Sequence, residues 1–139
     1  MRVFLDTNVL VSAFATRGLC ADLLRHLLVE HEVMTGEVNI RELRRVLKTK
    51  LRVPKDTVTA IEEMLRDQTV VPKPKKQLPL KIRDPDDAWV LASAVDGAAD
   101  LLVTGDRDLL DIASTAPLRI VDPRSCWEAL RHRRRWKRD

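Results

Sequence analysis

The chain has 139 residues, 45% of them hydrophobic and 33% charged, with a formal net charge of +4. That length suits one domain able to bury roughly two-thirds of its unfolded surface, and the composition excludes an intrinsically disordered chain. No apolar run approaches a membrane span and no signal-peptide pattern opens the chain, so the sequence predicts a cytoplasmic protein that makes no membrane contact.

The elements alternate from the start. Arg2 to Leu5 reads as a strand that stops at Asp6. Leu19, Leu23, Leu24, Leu27 and Leu28 recur with helical spacing, and Glu32 to Met34 forms a short second strand. Ile40, Leu43, Val46 and Leu47 stripe the next helix; Val58, Ile61 and Leu65 stripe another after Pro54, where core packing is the expected use rather than a dimer contact. Thr69 to Val71 is a third strand, followed by an extended, solvated PKPKKQLP over residues 72–79. AWVLASAV (88–95) is apolar all round, as in a helix buried between a sheet and its neighbours. Leu101 to Thr104 and Leu118 to Val121 are the last strands, with a final helix near Ser125 to Leu130. Cys20 and Cys126 show no metal or disulfide spacing and read as reduced thiols.

Such βαβ alternation predicts an α/β fold with a mostly parallel sheet, right-handed crossovers and helices on both faces. In doubly wound sheets the functional crevice lies at the carboxyl ends of the strands, where strand order reverses. Asp6 and Asp106 each follow a strand, so they converge if the first and fourth strands are neighbours at that reversal.

Each acid has an innocent reading by itself. Asp84 suits a helix N-cap, with Pro85 at the first position and Asp86 and Asp87 at the positive end of the dipole. Asp106 opens a helix after Gly105, Asp6 caps the helix after its own strand, and Glu42 sits among Arg41, Arg44 and Arg45 as an ordinary ion-pair partner. Together they are harder to dismiss, because carboxylates gathered at one sheet edge raise one another's pKa until they protonate or bind a cation. Oxygen ligands of this kind suit Mg²⁺ or Mn²⁺. Neither GxGxxG nor a P-loop is present.

DTNVL at residues 6–10, RELRRVL with Glu42, DPDDAWVLASA with Asp87 and LLVTGDRDLL with Thr104 and Asp106 together resemble the PIN-domain family, over nearly the whole chain. The resemblance is to the toxin branch, similar to the VapC-type ribonucleases. It implies a three-layer α/β/α sandwich with a parallel sheet, over residues 1–130, and a site holding one or two divalent metals. Carried over by position, the metal-binding and catalytic set is Asp6, Glu42, Asp87 and Asp106, with Asn8, Thr104 and Asp108 in support. Asp84 is the second choice beside Asp87, and Glu42 is preferred to Glu37 because RxVL follows it. The resemblance further implies RNA such as tRNA or rRNA as substrate, a cognate antitoxin as partner, and a homodimer.

Two metals ~3.5 to 4 Å apart can activate water and relieve charge on a leaving oxygen, so no side-chain base is needed. His26, His31 and His132 lie outside every motif, and Thr104 or Asn8 would orient water or a ligand. Residues 131–139 carry a net +5, leaving −1 for the other 130. Arg133, Arg134, Arg135, Lys137 and Arg138 are the expected nucleic-acid contacts, with Trp136 available to stack. Two alternatives stand beside this reading. One is a non-catalytic PIN-like module binding RNA or a partner. The other is a haloacid-dehalogenase-like phosphatase, whose later motif GDRDLLD fits but whose first motif fails at Asn8 and Leu10.

Overall fold

The computed structural model describes residues 1–132, so the basic-tail residues Arg133, Arg134, Arg135, Lys137 and Arg138, with Trp136, lie outside the described residues. Five strands form one sheet: β1 (Arg2–Leu5), β2 (Glu32–Gly36), β3 (Thr69–Val71), β4 (Leu101–Val103) and β5 (Arg119–Val121). Their order is β3-β2-β1-β4-β5, and every pairing is parallel. Strand order therefore reverses between β1 and β4, the arrangement that brings the two strand-end acids together.

Helices α1 (Thr7–Ala15), α2 (Leu19–Glu30), α3 (Glu37–Arg45) and α4 (Lys55–Arg66) occur in the connections leading from β1 to β3. The chain then turns back through α5 (Pro85–Asp96), β4, α6 (Arg107–Leu110) and β5 to α7 (Pro123–Arg131). Because parallel crossovers keep one hand, the reversal puts α5 and α6 on the opposite face from α1 to α4.

The sheet residues show both faces covered. Val3 and Leu5 of β1 join Leu101 and Val103 of β4 in one core with Leu10, Leu23, Leu27, Leu43 and Leu65. Their neighbours Phe4 and Leu102 point into a second core with Leu91, Ala94 and Leu109. That two-sided burial is why the strands read as continuous apolar runs rather than alternating ones. Val58 and Leu65 are buried, in keeping with core packing for that stripe.

Two local differences from the sequence reading matter. β2 runs two residues further than Met34, because Thr35 and Gly36 pair with Val70 and Val71, and the Thr35 hydroxyl donates to Leu5 O at 3.0 Å. Gly36 is needed there, since a Cβ would come within 3.0 Å of Asn39 Oδ1 and 3.2 Å of Ser93. After α3 the chain widens into a π-type turn, Val46–Lys50, which still buries Leu47. Among the described residues no helix is long and apolar enough to cross a membrane.

Candidate metal centre and cleft

β1 ends where Asp6 begins, and Asp6 N still donates to Val103 O at 3.0 Å, extending the β1–β4 ladder to the first acid. The next residue over, Thr104, extends the β4–β5 ladder by donating its N–H to Val121 O at 3.0 Å. Backbone pairing thus fixes both residues before any side chain is considered.

The Asp6 carboxylate is 4% exposed and gathers four side-chain or cap donors. Oδ1 accepts from Thr7 N at 2.7 Å and Asn39 Nδ2 at 3.0 Å; Oδ2 accepts from the Thr104 hydroxyl at 2.7 Å and Asn8 Nδ2 at 3.2 Å. Burial nevertheless outweighs these bonds and, with help from the Asp106 charge, holds the Asp6 carboxyl above its ordinary range. Asn8 spans the strand ends, since its Oδ1 accepts from Gly105 N at 2.8 Å. Thr104 Oγ1 in turn accepts from Asp106 N at 3.0 Å.

Asp87 lies one turn into α5, whose start is set by Asp84 accepting from Asp86 N at 2.9 Å and by Pro85 in the first turn. Its side chain is 6% exposed, and Oδ2 has no hydrogen-bond partner. Burial first, then the charge and hydrogen bond of Asp106, then Asp6 and Asp84, push its carboxyl up to about 8. Asp106 caps α6 and accepts from Asp108 N at 2.9 Å. One oxygen each from Asp87, Asp106 and Asp108 lies within 4.8 Å of the others.

The acids predicted from sequence are therefore brought together unequally. Asp6, Asp84, Asp87, Asp106 and Glu42 all line one cleft of about 1000 Å³. Asp108, expected in support, joins the tight group with Asp87 and Asp106, whereas Glu42 lies outside that group and is paired with Arg45 at 2.7 Å. Asp84 is an exposed cap. Glu37 is turned to Arg66 at 2.6 Å and does not line the cleft. Asn8 and Thr104 brace the acids rather than standing free.

One residue escaped the sequence reading. Asn39 is fully buried, donates to both Asp6 Oδ1 and Thr7 Oγ1 at 3.0 Å, and leaves its own Oδ1 without a partner. The available signal was an uncharged polar residue beside Ile40, three positions before Glu42, in the first turn of a helix that follows a strand.

A buried carboxylate oxygen without a donor, beside two more acids, is a donor set that could hold a hard cation. An α/β sheet with such a centre at its β1–β4 reversal defines an acid-centred α/β protein. The family profile described as PIN domain matches residues 2–108, and the chain belongs to that family. Membership sets aside the phosphatase alternative. The failure at Asn8 has a structural counterpart, since its amide is engaged on both sides.

Solved structures share the fold at low identity. A chain of VapBC2 from Rickettsia felis bound to a promoter DNA fragment is 15% identical with a TM-score of 0.61, covering 88% of this chain and 98% of that one. VapBC-1 from nontypeable Haemophilus influenzae is 18% identical with a TM-score of 0.60, covering 89% and 99%. FitAcB from Neisseria gonorrhoeae is 17% identical with a TM-score of 0.58, covering 87% and 97%. No curated protein matches the sequence.

Proposed function

We propose that this chain is a divalent-metal-dependent endoribonuclease, working in the cytoplasm as the toxin component of a toxin–antitoxin pair. The observation that carries the reading is Asp87: a buried oxygen with no donor, facing acids that resist its ionisation. Such a group either keeps its proton or gives it up to a cation, and an all-carboxylate donor set suits Mg²⁺ or Mn²⁺. Asp87, Asp106 and Asp108 would hold it, with Asp6 beside them and Glu42 on the cleft wall as the further ligands. One or two such ions, when bound, supply an activated water and neutralise charge on the leaving oxygen of a phosphodiester.

The chain's own contribution is positioning. Asn39, Thr7, Asn8 and Thr104 fix the Asp6 carboxylate from four directions. Thr104 is fully buried and spends its hydroxyl on Asp6 and Asp106 N, which favours its orienting ligands over its handling water. The PIN family and the resemblance of the motifs to VapC-type ribonucleases support RNA as substrate. Structural neighbours from VapBC and FitAB assemblies support a cognate antitoxin; the homodimer rests on the resemblance alone.

Incubating the purified chain with tRNA and rRNA in Mg²⁺ or Mn²⁺ tests the reading. Cleavage that EDTA and Asp6→Asn both abolish supports it. Binding of RNA without cleavage returns the non-catalytic module.

A further inference from the structure

The acids occupy only part of the cleft. Its lining also includes the apolar residues Val11, Val38, Val46, Trp89 and Val90 alongside the acids. Phosphate groups have no use for such a lining. Nucleobases do, and in a duplex their faces are hidden by stacking.

Among the described residues, Trp89 is the one aromatic side chain lining the cleft. It is half-buried, two positions after Asp87 on α5, and is held in place by the helix beneath it. The ammonium of the exposed Lys73 lies 4.5 Å from the ring centroid, over one face of the indole. Contacts of that kind at exposed sites are weak. Across the cleft Arg41 and Lys48 have no ion-pair partner among the described residues, while Arg44 and Arg45 are paired with Glu62 and Glu42. Lys75 and Lys76 continue the basic charge beyond Lys73.

We infer that Trp89 is the base-stacking platform of a single-stranded RNA site: one unpaired base takes the ring face, Lys73 moves from that face to a backbone phosphate, and Arg41 and Lys48 hold the strand on the other side. Arg41, Lys48 and Lys73 suit a phosphate backbone and the apolar lining suits bases, while the acids of the same cleft are left for the cation. The inference rests on the nuclease reading for the identity of the polymer, but not for its test.

The test measures binding rather than cleavage. A fluorescein-labelled single-stranded RNA, the same strand with abasic positions, and its duplex are titrated against the full chain in EDTA at low salt, by anisotropy. Base–aromatic stacking predicts a preference of about five- to 150-fold for the intact single strand over the abasic one. Trp89→Leu removes that preference and Trp89→Phe keeps most of it, while Lys73→Ala, Arg41→Ala and Lys48→Ala weaken intact and abasic strands alike. Thermal melts confirm that each variant folds. Equal binding of intact and abasic strands, tighter binding of duplex, no binding at all, or a preference that survives Trp89→Leu and vanishes in Trp136→Leu each overturns the inference. Discrimination through Trp89 without any metal-dependent cleavage sinks the nuclease reading alone; cleavage with KM unchanged in Trp89→Leu sinks this inference alone.

Discussion

Asp87→Asn should stabilise the metal-free protein while abolishing its metal response, and the two effects have one origin. Burial and the neighbouring Asp106 and Asp6 push the Asp87 carboxyl up to about 8, from 3.8 for a free side chain. Between those values the folded state holds a proton that the unfolded chain has released. Stability therefore falls as pH rises, at up to ~1.4 kcal/mol per pH unit for one proton. From pH 5.5 to 7.5 the wild type loses up to ~3 kcal/mol that asparagine, a neutral isostere, does not lose. For a domain of this size the gap is roughly 10 °C in Tm at the upper pH. Thermal melts of both proteins in EDTA, across that range, measure it. Added Mn²⁺ should then raise the wild-type Tm at pH 7.5 and leave the variant unmoved. Parallel pH profiles, or a variant less stable than wild type at pH 7.5, would refute the claim that repulsion at Asp87 is what the metal relieves.

Other substitutions follow from the same geometry. Thr104→Val strips a donor from Asp6 and an acceptor from Asp106 N, and should cost ~1–3 kcal/mol in a denaturant titration, with Thr104→Ser close to wild type. Asn39→Ala removes two buried bonds at once, so it should both destabilise by a similar ~1–3 kcal/mol and weaken Mn²⁺ binding, seen by calorimetry. Metal binding at pH 7 should release a proton, and the apparent affinity should drop about tenfold per pH unit below 8; calorimetry in buffers of different ionisation heat reads the proton directly. The Glu42–Arg45 pair is solvent-exposed and screened, so it stabilises little, and a metal would recruit Glu42 against little resistance. Glu42→Gln should weaken Mn²⁺ several-fold and Arg45→Ala should strengthen it slightly; opposite signs would leave Glu42 as a surface ion-pair partner.

How far the sequence could be read depended on which force placed each residue. Strands buried on both faces announce themselves, because Val3, Phe4 and Leu5 must all be apolar whichever core they enter. The convergence of Asp6 and Asp106 followed from the topology once β1 and β4 were taken as neighbours. What stayed hidden was set by side-chain geometry in three dimensions. Asn39 reaches Asp6 across 33 positions, a pairing that no local pattern in the sequence announces. Asp108 was expected only in support, and its place beside Asp87 and Asp106 comes from how α5 and α6 meet. Glu42 was legible both as a site acid and as an ion-pair partner among neighbouring arginines; the structure shows which arginine takes it, Arg45, three positions on in the same helix.

The chemistry of the RNA ends tests the central claim most directly. Water activated at a carboxylate-held metal must leave linear phosphate ends, because the ribose 2′-hydroxyl takes no part. With a defined RNA in Mg²⁺ or Mn²⁺, the wild type is predicted to give products free of 2′,3′-cyclic phosphate, and none in EDTA or with Asp106→Asn. Cyclic phosphate ends, or cleavage that persists without metal or in Asp106→Asn, would contradict it.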